Sequence, residues 1–131
     1  MARVLVIDDS ASTRAYVRSV LRGHHEVDEA ASGFEAMRLL PKGRYELLVL
    51  DVNMPEINGL ELIAFVRKNP NYRETPVLVI STQAKSVDVE RATALGANAF
   101  LAKPFAPTAL LDAVSRALRA ANAASASGST T

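Results

Sequence analysis

Four apolar stretches of the chain each run directly into polar residues of complementary chemistry. "RVLVI" from Arg3 leads into Asp8 and Asp9, "ELLVL" from Glu46 into Asp51, "PVLVI" from Pro76 into Ser81, and "AFLA" from Ala99 into Lys103. If the four stretches are strands of one parallel sheet, their ends bring three carboxylates, a hydroxyl and an ammonium to one edge. Carboxylates gathered in this way repel one another and raise their pKa values unless a cation lies between them. A hard divalent ion with oxygen ligands meets that need, and few protein ligands completed by water favour Mg2+ over Ca2+. Asp51 could then attack a phosphoryl group as a nucleophile and become an aspartyl phosphate. Lys103 could neutralise the phosphoryl oxygens, and Ser81 could donate a hydrogen bond to one of them.

Each residue alone has an ordinary structural reading. Asp8-Asp9 suits turn or cap chemistry, Asp51 could open a loop, Ser81 could cap or turn, and Lys103 could be a solvated charge. Their coincidence at the ends of four strands is what points to a site. His24 and His25 follow Gly23 in a connecting stretch and are expected to face solvent there, outside the cluster.

Near-continuous Val, Leu and Ile runs suit strands covered on both faces, as in parallel sheets. A fifth strand fits "EVDEA" from Glu26, where alternation places it nearer an edge. Helical patterns fall between the strands, at roughly 11 to 22, 33 to 41, 58 to 68, 86 to 95 and 107 to 121, so the expected order is (βα) five times. Ser32 and Glu35 form a capping box and Asn58 can cap the third helix. Gly96 follows the fourth helix as a left-handed C-cap, and Pro107 suits the first position of the fifth. Ala106 before it is a poor N-cap. In such a fold, sites form outside the carboxyl ends of the strands where the winding reverses.

The 131 residues, 49% of them hydrophobic, suffice for one domain with its own core. A net charge of +1 gives no strong field toward nucleic acid or anionic lipid, and the lack of cysteine excludes thiolate chemistry and Cys-based zinc sites. No apolar run approaches the roughly 18 residues of a membrane span. A cytoplasmic protein without membrane insertion is expected. The folded domain is expected over 1–120, and the uncharged Ala/Ser-rich stretch 121–131 is expected as a disordered tail.

"VLVIDDS", "LLVLDVNMPEINGLEL", "PVLVIST" and "GANAFLAKPF", in this order, resemble the response-regulator receiver domain, the phosphoacceptor module of bacterial two-component signalling. The resemblance spans about residues 3 to 120. It implies a flavodoxin-like, doubly wound α/β fold with a five-stranded parallel sheet in the order 2-1-3-4-5, an order supplied by the family. It also implies phosphorylation at Asp51 and Mg2+ held by Asp9, Asp51 and the Asn53 backbone carbonyl, with Asp8 acting through water. Lys103 and Ser81 would contact the phosphoryl group, Ser81 and Phe100 would form the switch, and the Lys103–Pro104 bond would be cis. Asn53, Thr82 and Gln83 fall where members tune phosphoryl lifetime or access. Phe100 stands at the position of a common Tyr and lacks its hydroxyl, Thr82 is bulkier than the usual small residue, and Asn58 keeps the capping ability of the usual Asp.

The implied partners are a histidine kinase or histidine phosphotransfer protein upstream and a protein target downstream, met through the face of the fourth helix, fifth strand and fifth helix. Without an effector domain, output is expected as a protein contact and not as direct nucleic-acid binding. "DDSASTRAYVRSVL" looks more like the chemotaxis type. The chain is expected to be no enzyme beyond accepting its own phosphoryl group and losing it slowly. Other readings are a receiver cut from a hybrid kinase or larger regulator, a phosphorelay intermediate, and a pseudo-receiver indifferent to phosphorylation. A haloacid-dehalogenase-type hydrolase would need an acid where Asn53 stands. A flavodoxin-type electron carrier would need a phosphate cradle in place of "DDSAST".

Overall fold

The computed structural model describes residues 2–54, 57–82 and 86–129, with the side chains of 86–88 and 124–129 outside the description. Five strands alternate with five helices: β1 Arg3–Ile7, α1 Ala11–Leu21, β2 Glu26–Ala30, α2 Gly33–Leu39, β3 Leu47–Asp51, α3 Gly59–Lys68, β4 Val77–Ser81, α4 Ser86–Leu95, β5 Ala99–Ala102 and α5 Pro107–Ser129. All strand pairs are parallel and the order is β2-β1-β3-β4-β5. The winding therefore reverses beside β1, and the crevice at the carboxyl ends of β1 and β3 is where a ligand site is expected.

The apolar runs explain the layering. Alternate side chains leave opposite faces of a strand, so Leu5, Ile7, Leu48, Leu50, Val77 and Val79 join one core with residues of α2, α3 and α4. Val4, Val6, Leu47, Val49, Leu78 and Ile80 join a second core with α1 and α5. β3 and β4 are buried throughout, whereas β2 and β5, at the two edges, are mostly half-exposed. Among the described residues, no helix is long and apolar enough to cross a membrane.

Local chemistry sets the helix ends. The hydroxyls of Ser10 and Ser32 and the amide oxygen of Asn58 accept from the backbone N–H groups of Thr13, Glu35 and Glu61, at 3.3, 3.1 and 3.0 Å. These are the N-cap bonds that Ser and Asn make well. After α4, Gly96 takes φ +115°. The Gly96 and Ala97 amides turn back to the carbonyls of Thr93 and Ala92, the paired closing bonds of a Schellman ending.

The structure departs from the sequence pattern at α5. That helix continues to Ser129, past the expected end near 121, so residues 121–129 are helical and not the disordered tail anticipated for them. Repeated alanine, the strongest helix former, favours continuation of the helix.

Candidate functional site

Parallel pairing brings the expected polar residues to one edge. Asp8 and Asp9 follow β1, Asp51 closes β3, Ser81 closes β4, and Lys103 follows β5. β1 and β3 are neighbours, so their acids flank the winding reversal directly. Lys103 is two strands from Asp51, a span of roughly 9.6 Å at about 4.8 Å per strand. A long, flexible ammonium stem is the side chain able to cross it.

The Lys103 ammonium makes that crossing and donates to Asp8 Oδ2 at 2.7 Å and to Asp51 Oδ2 at 3.1 Å. Asp8 is fully buried and Asp51 is 7% exposed, so both ion pairs are shielded from water. Desolvation of Lys103 is the strongest single influence on its pKa and acts to lower it. The hydrogen bonds and charges of Asp8 and Asp51 together outweigh that, and hold Lys103 above the ordinary lysine value. The site thus fixes the lysine in its charged form.

The remaining oxygens are held in different ways. Asp8 Oδ1 accepts from the Ser10 amide at 2.8 Å and the Asp8 carbonyl from Arg14 at 2.5 Å. Asp51 Oδ1 accepts from the Asn53 amide at 2.9 Å, and the Asn53 side-chain amide donates to Ser81 Oγ at 3.2 Å. Asp9 is exposed. One oxygen of each of Asp8, Asp9 and Asp51 lies within 4.8 Å of the others. An all-oxygen donor set of this kind fits a hard divalent cation, so the chemistry of these residues agrees with the ion that their mutual repulsion calls for.

Thr82 is exposed and lines an open cleft of about 480 Å3 together with Ser12, Thr13, Tyr16, Lys103, Pro104 and Phe105. The Tyr16 hydroxyl donates to the Phe105 carbonyl at 2.7 Å and the two rings stand 5.6 Å apart. The Lys103–Pro104 peptide bond is cis. Phe100 is half-buried and packs against the core on the α4 side of the sheet. Gln83 lies outside the described residues. His24 is exposed, while His25 is half-buried, its Nδ1 accepting from the Ala2 amide at 3.0 Å, away from the acidic edge.

Two supports of the site carry little sequence signal. A Cβ built on Gly59 would meet the Asp51 carbonyl oxygen and Val52 Cα at 2.5 Å, so α3 begins in contact with the backbone that carries the acid. Arg67 donates to the carbonyls of Tyr72, Arg73, Thr75 and Gly96 and to the Asn98 side chain. It ties the end of α3 to the turn after α4, and its burial lowers the guanidinium pKa.

A buried carboxylate at the winding reversal of a (βα)5 sheet, paired with a lysine from the last strand and set beside two further acids, defines a phosphoacceptor receiver. The comparisons with known proteins agree. Residues 4–115 match the response regulator receiver domain. The chemotaxis protein CheY homolog of Campylobacter jejuni is 39% identical over 111 residues, covering 82% of this chain and 85% of that protein. CheY1 of Helicobacter pylori is 36% identical, covering 82% and 90%. The solved structure of Vibrio cholerae CheY4 superposes with a TM-score of 0.87 at 39% identity, covering 90% of this chain and 99% of that one. The chain belongs to the response regulator receiver family, and is a phosphoacceptor signalling module homologous to chemotaxis response regulators.

Proposed function

We propose that Asp51 accepts a phosphoryl group from a phosphohistidine on a partner kinase or phosphotransfer protein. A carboxylate oxygen attacks phosphorus, the P–N bond breaks, and the imidazole leaves with the bonding pair and takes a proton from solvent. The observation that carries this reading is the Asp51 carboxylate itself: nearly buried, oriented by the Asn53 amide and faced by the Lys103 ammonium. Lys103 is preplaced to follow the new oxygens, exchanging a carboxylate partner for a phosphoryl one.

Asp9, Asp51 and the Asn53 carbonyl would hold Mg2+, with Asp8 behind them through water. That division is supported by Asp8 already accepting hydrogen bonds at both of its oxygens, while Asp9 faces solvent. Bound there, Mg2+ supplies positive charge to phosphoryl oxygens during transfer.

The phosphoryl group adds about 1 to 3 charge-assisted hydrogen bonds, each contributing about 1.5 to 3 kcal/mol. Inverting a two-state surface from 1:99 needs roughly 5.5 kcal/mol, within reach of two good contacts. Ser81 contact would draw the loop after β4 inward and let Phe100 turn, changing the α4, β5 and α5 face that meets a target protein. Thr82 and Asn53 set access and lifetime in this scheme. Slow loss of the phosphoryl group, with no turnover of an outside substrate, follows from Asn53 standing where a hydrolase would place an acid. By likeness to the CheY relatives we place the protein in chemotaxis-type signalling in the cytoplasm.

Treatment with Mg2+ and acetyl phosphate tests the chemistry. The parent protein is expected to gain the mass of one phosphoryl group and Asp51→Ala to gain none. No gain in the parent, or an equal gain in the variant, overturns the assignment.

A further inference from the structure

The two peptide planes that flank Asp9 are each held at one atom. On the plane before it, the Asp8 carbonyl accepts from Arg14 Nη1 at 2.5 Å; on the plane after it, the Ser10 N–H donates to Asp8 Oδ1 at 2.8 Å. Peptide units are rigid, so these bonds restrict φ and ψ of Asp9 and with them the direction in which its carboxylate leaves the chain. Asp9 itself is exposed, where packing gives a side chain little guidance. Arg14 is in turn held from β2. Glu29 stands in register with Val6, whose side chain joins the core beneath α1. The Glu29 carboxylate accepts from Arg14 Nε at 3.2 Å through Oε1 and from Arg18 Nη1 at 3.0 Å through Oε2. Arg14 and Arg18 lie four residues apart on α1, where like charges repel, and Glu29 between them offsets that repulsion. The Arg14 side chain is only 15% exposed. Its planar fork can serve Glu29 and the Asp8 carbonyl together in one fixed relation, which a lysine ammonium at the same position would not reproduce.

We propose that Glu29 and Arg14 form a positioning relay for Asp9 as a metal ligand. The β2 carboxylate orients the guanidinium, the guanidinium holds the Asp8–Asp9 peptide, and that peptide keeps an Asp9 oxygen within 4.8 Å of those of Asp8 and Asp51. Arg14 is then a positioning residue that acts through the backbone. The inference rests on the assignment of Asp9 to Mg2+ above. The relay works by geometry against its own charge, because a cation near the acids disfavours the binding of a second one.

Mg2+ titrations of the full chain, followed by amide chemical shifts, test the relay across the parent, Arg14→Lys, Arg14→Met and Glu29→Asp. Urea denaturation in chelator checks that each variant is folded. Arg14→Lys keeps the charge and loses the fork, so Mg2+ should bind about tenfold more weakly, the low end of what losing a group behind a metal ligand costs. Arg14→Met should also bind more weakly, although removal of a nearby positive charge would by itself tighten binding. Glu29→Asp keeps its charge but shortens the reach to Arg14, and a smaller weakening is expected. Unchanged affinity in Arg14→Lys, or tighter binding by Arg14→Met, overturns the relay. If neither Arg14 variant folds, Glu29→Asp decides: weaker binding supports the relay and unchanged binding overturns it. A parent that shows no Mg2+ binding overturns the metal assignment and the relay with it.

Discussion

Asp9→Asn is expected to stabilise the protein without metal and to weaken it, relative to the parent, with metal present. One oxygen of Asp9 lies within 4.8 Å of oxygens of Asp8 and Asp51. Two unit charges at that separation repel by about 3.5 kcal/mol at an effective dielectric of about 20, and by about 0.9 kcal/mol at that of water. Asp9 faces solvent, so the smaller figure governs. Two such repulsions, offset in part by the Lys103 ammonium, leave about 1 kcal/mol for the neutral variant to recover. Urea denaturation in chelator should therefore show a higher midpoint for Asp9→Asn with an unchanged slope. With Mg2+ at a hundred times its dissociation constant the parent gains about 2.7 kcal/mol, and the variant, lacking a ligand, gains much less. The order of stability then reverses. A variant less stable than the parent in chelator, or stabilised equally by Mg2+, would refute the picture of Asp9 as an uncompensated acid awaiting a cation.

Lys103→Met, which keeps the stem and removes the charge, should cost about 3 kcal/mol near neutral pH, since it leaves Asp8 and Asp51 charged without their buried partner. The folded pKa of Lys103 is raised. Its contribution is thus fully present below the ordinary lysine value of about 10.4 and lost as pH rises through the higher folded value. Denaturation curves of parent and variant should converge in that alkaline window, and a constant gap through it would contradict the ion pairs. Gly59→Ala should cost about 1 to 3 kcal/mol through overpacking, because the added carbon meets backbone that has nowhere to go. Amide shifts around Asp51 should move with it, and a stabilised Gly59→Ala would contradict the close approach.

Much of this site is legible in the sequence because strand chemistry and site chemistry share the same residues. Val, Leu and Ile runs mark the strands, and the first polar residue after each run marks the active edge. β3 and β4 end on Asp51 and Ser81 as expected, and each begins one residue after the start of its apolar run, at Leu47 and Val77. Ser32, Asn58 and Gly96 announce their helix ends through short-range bonds, which local sequence encodes directly.

Long-range contacts leave no such trace. Arg67 reads as a basic residue in the last turn of α3, suited to the helix dipole, yet it gathers carbonyls from two separate turns. Gly59 reads as a weak helix starter, and only the packing of α3 on Asp51 shows why a side chain is excluded. Tyr16 and Phe105, 89 residues apart, and the Asn53–Ser81 hydrogen bond become visible once the sheet order has brought them together.

One carboxylate, that of Asp51, is proposed to carry the phosphoryl group. Borohydride reduction of the phosphorylated protein converts an acyl phosphate to an alcohol, and fragmentation by mass spectrometry locates it. Homoserine is expected at position 51 and at no other aspartate. Reduction at Asp8 or Asp9, or a phosphoryl group retained on a hydroxyl or imidazole, would contradict it.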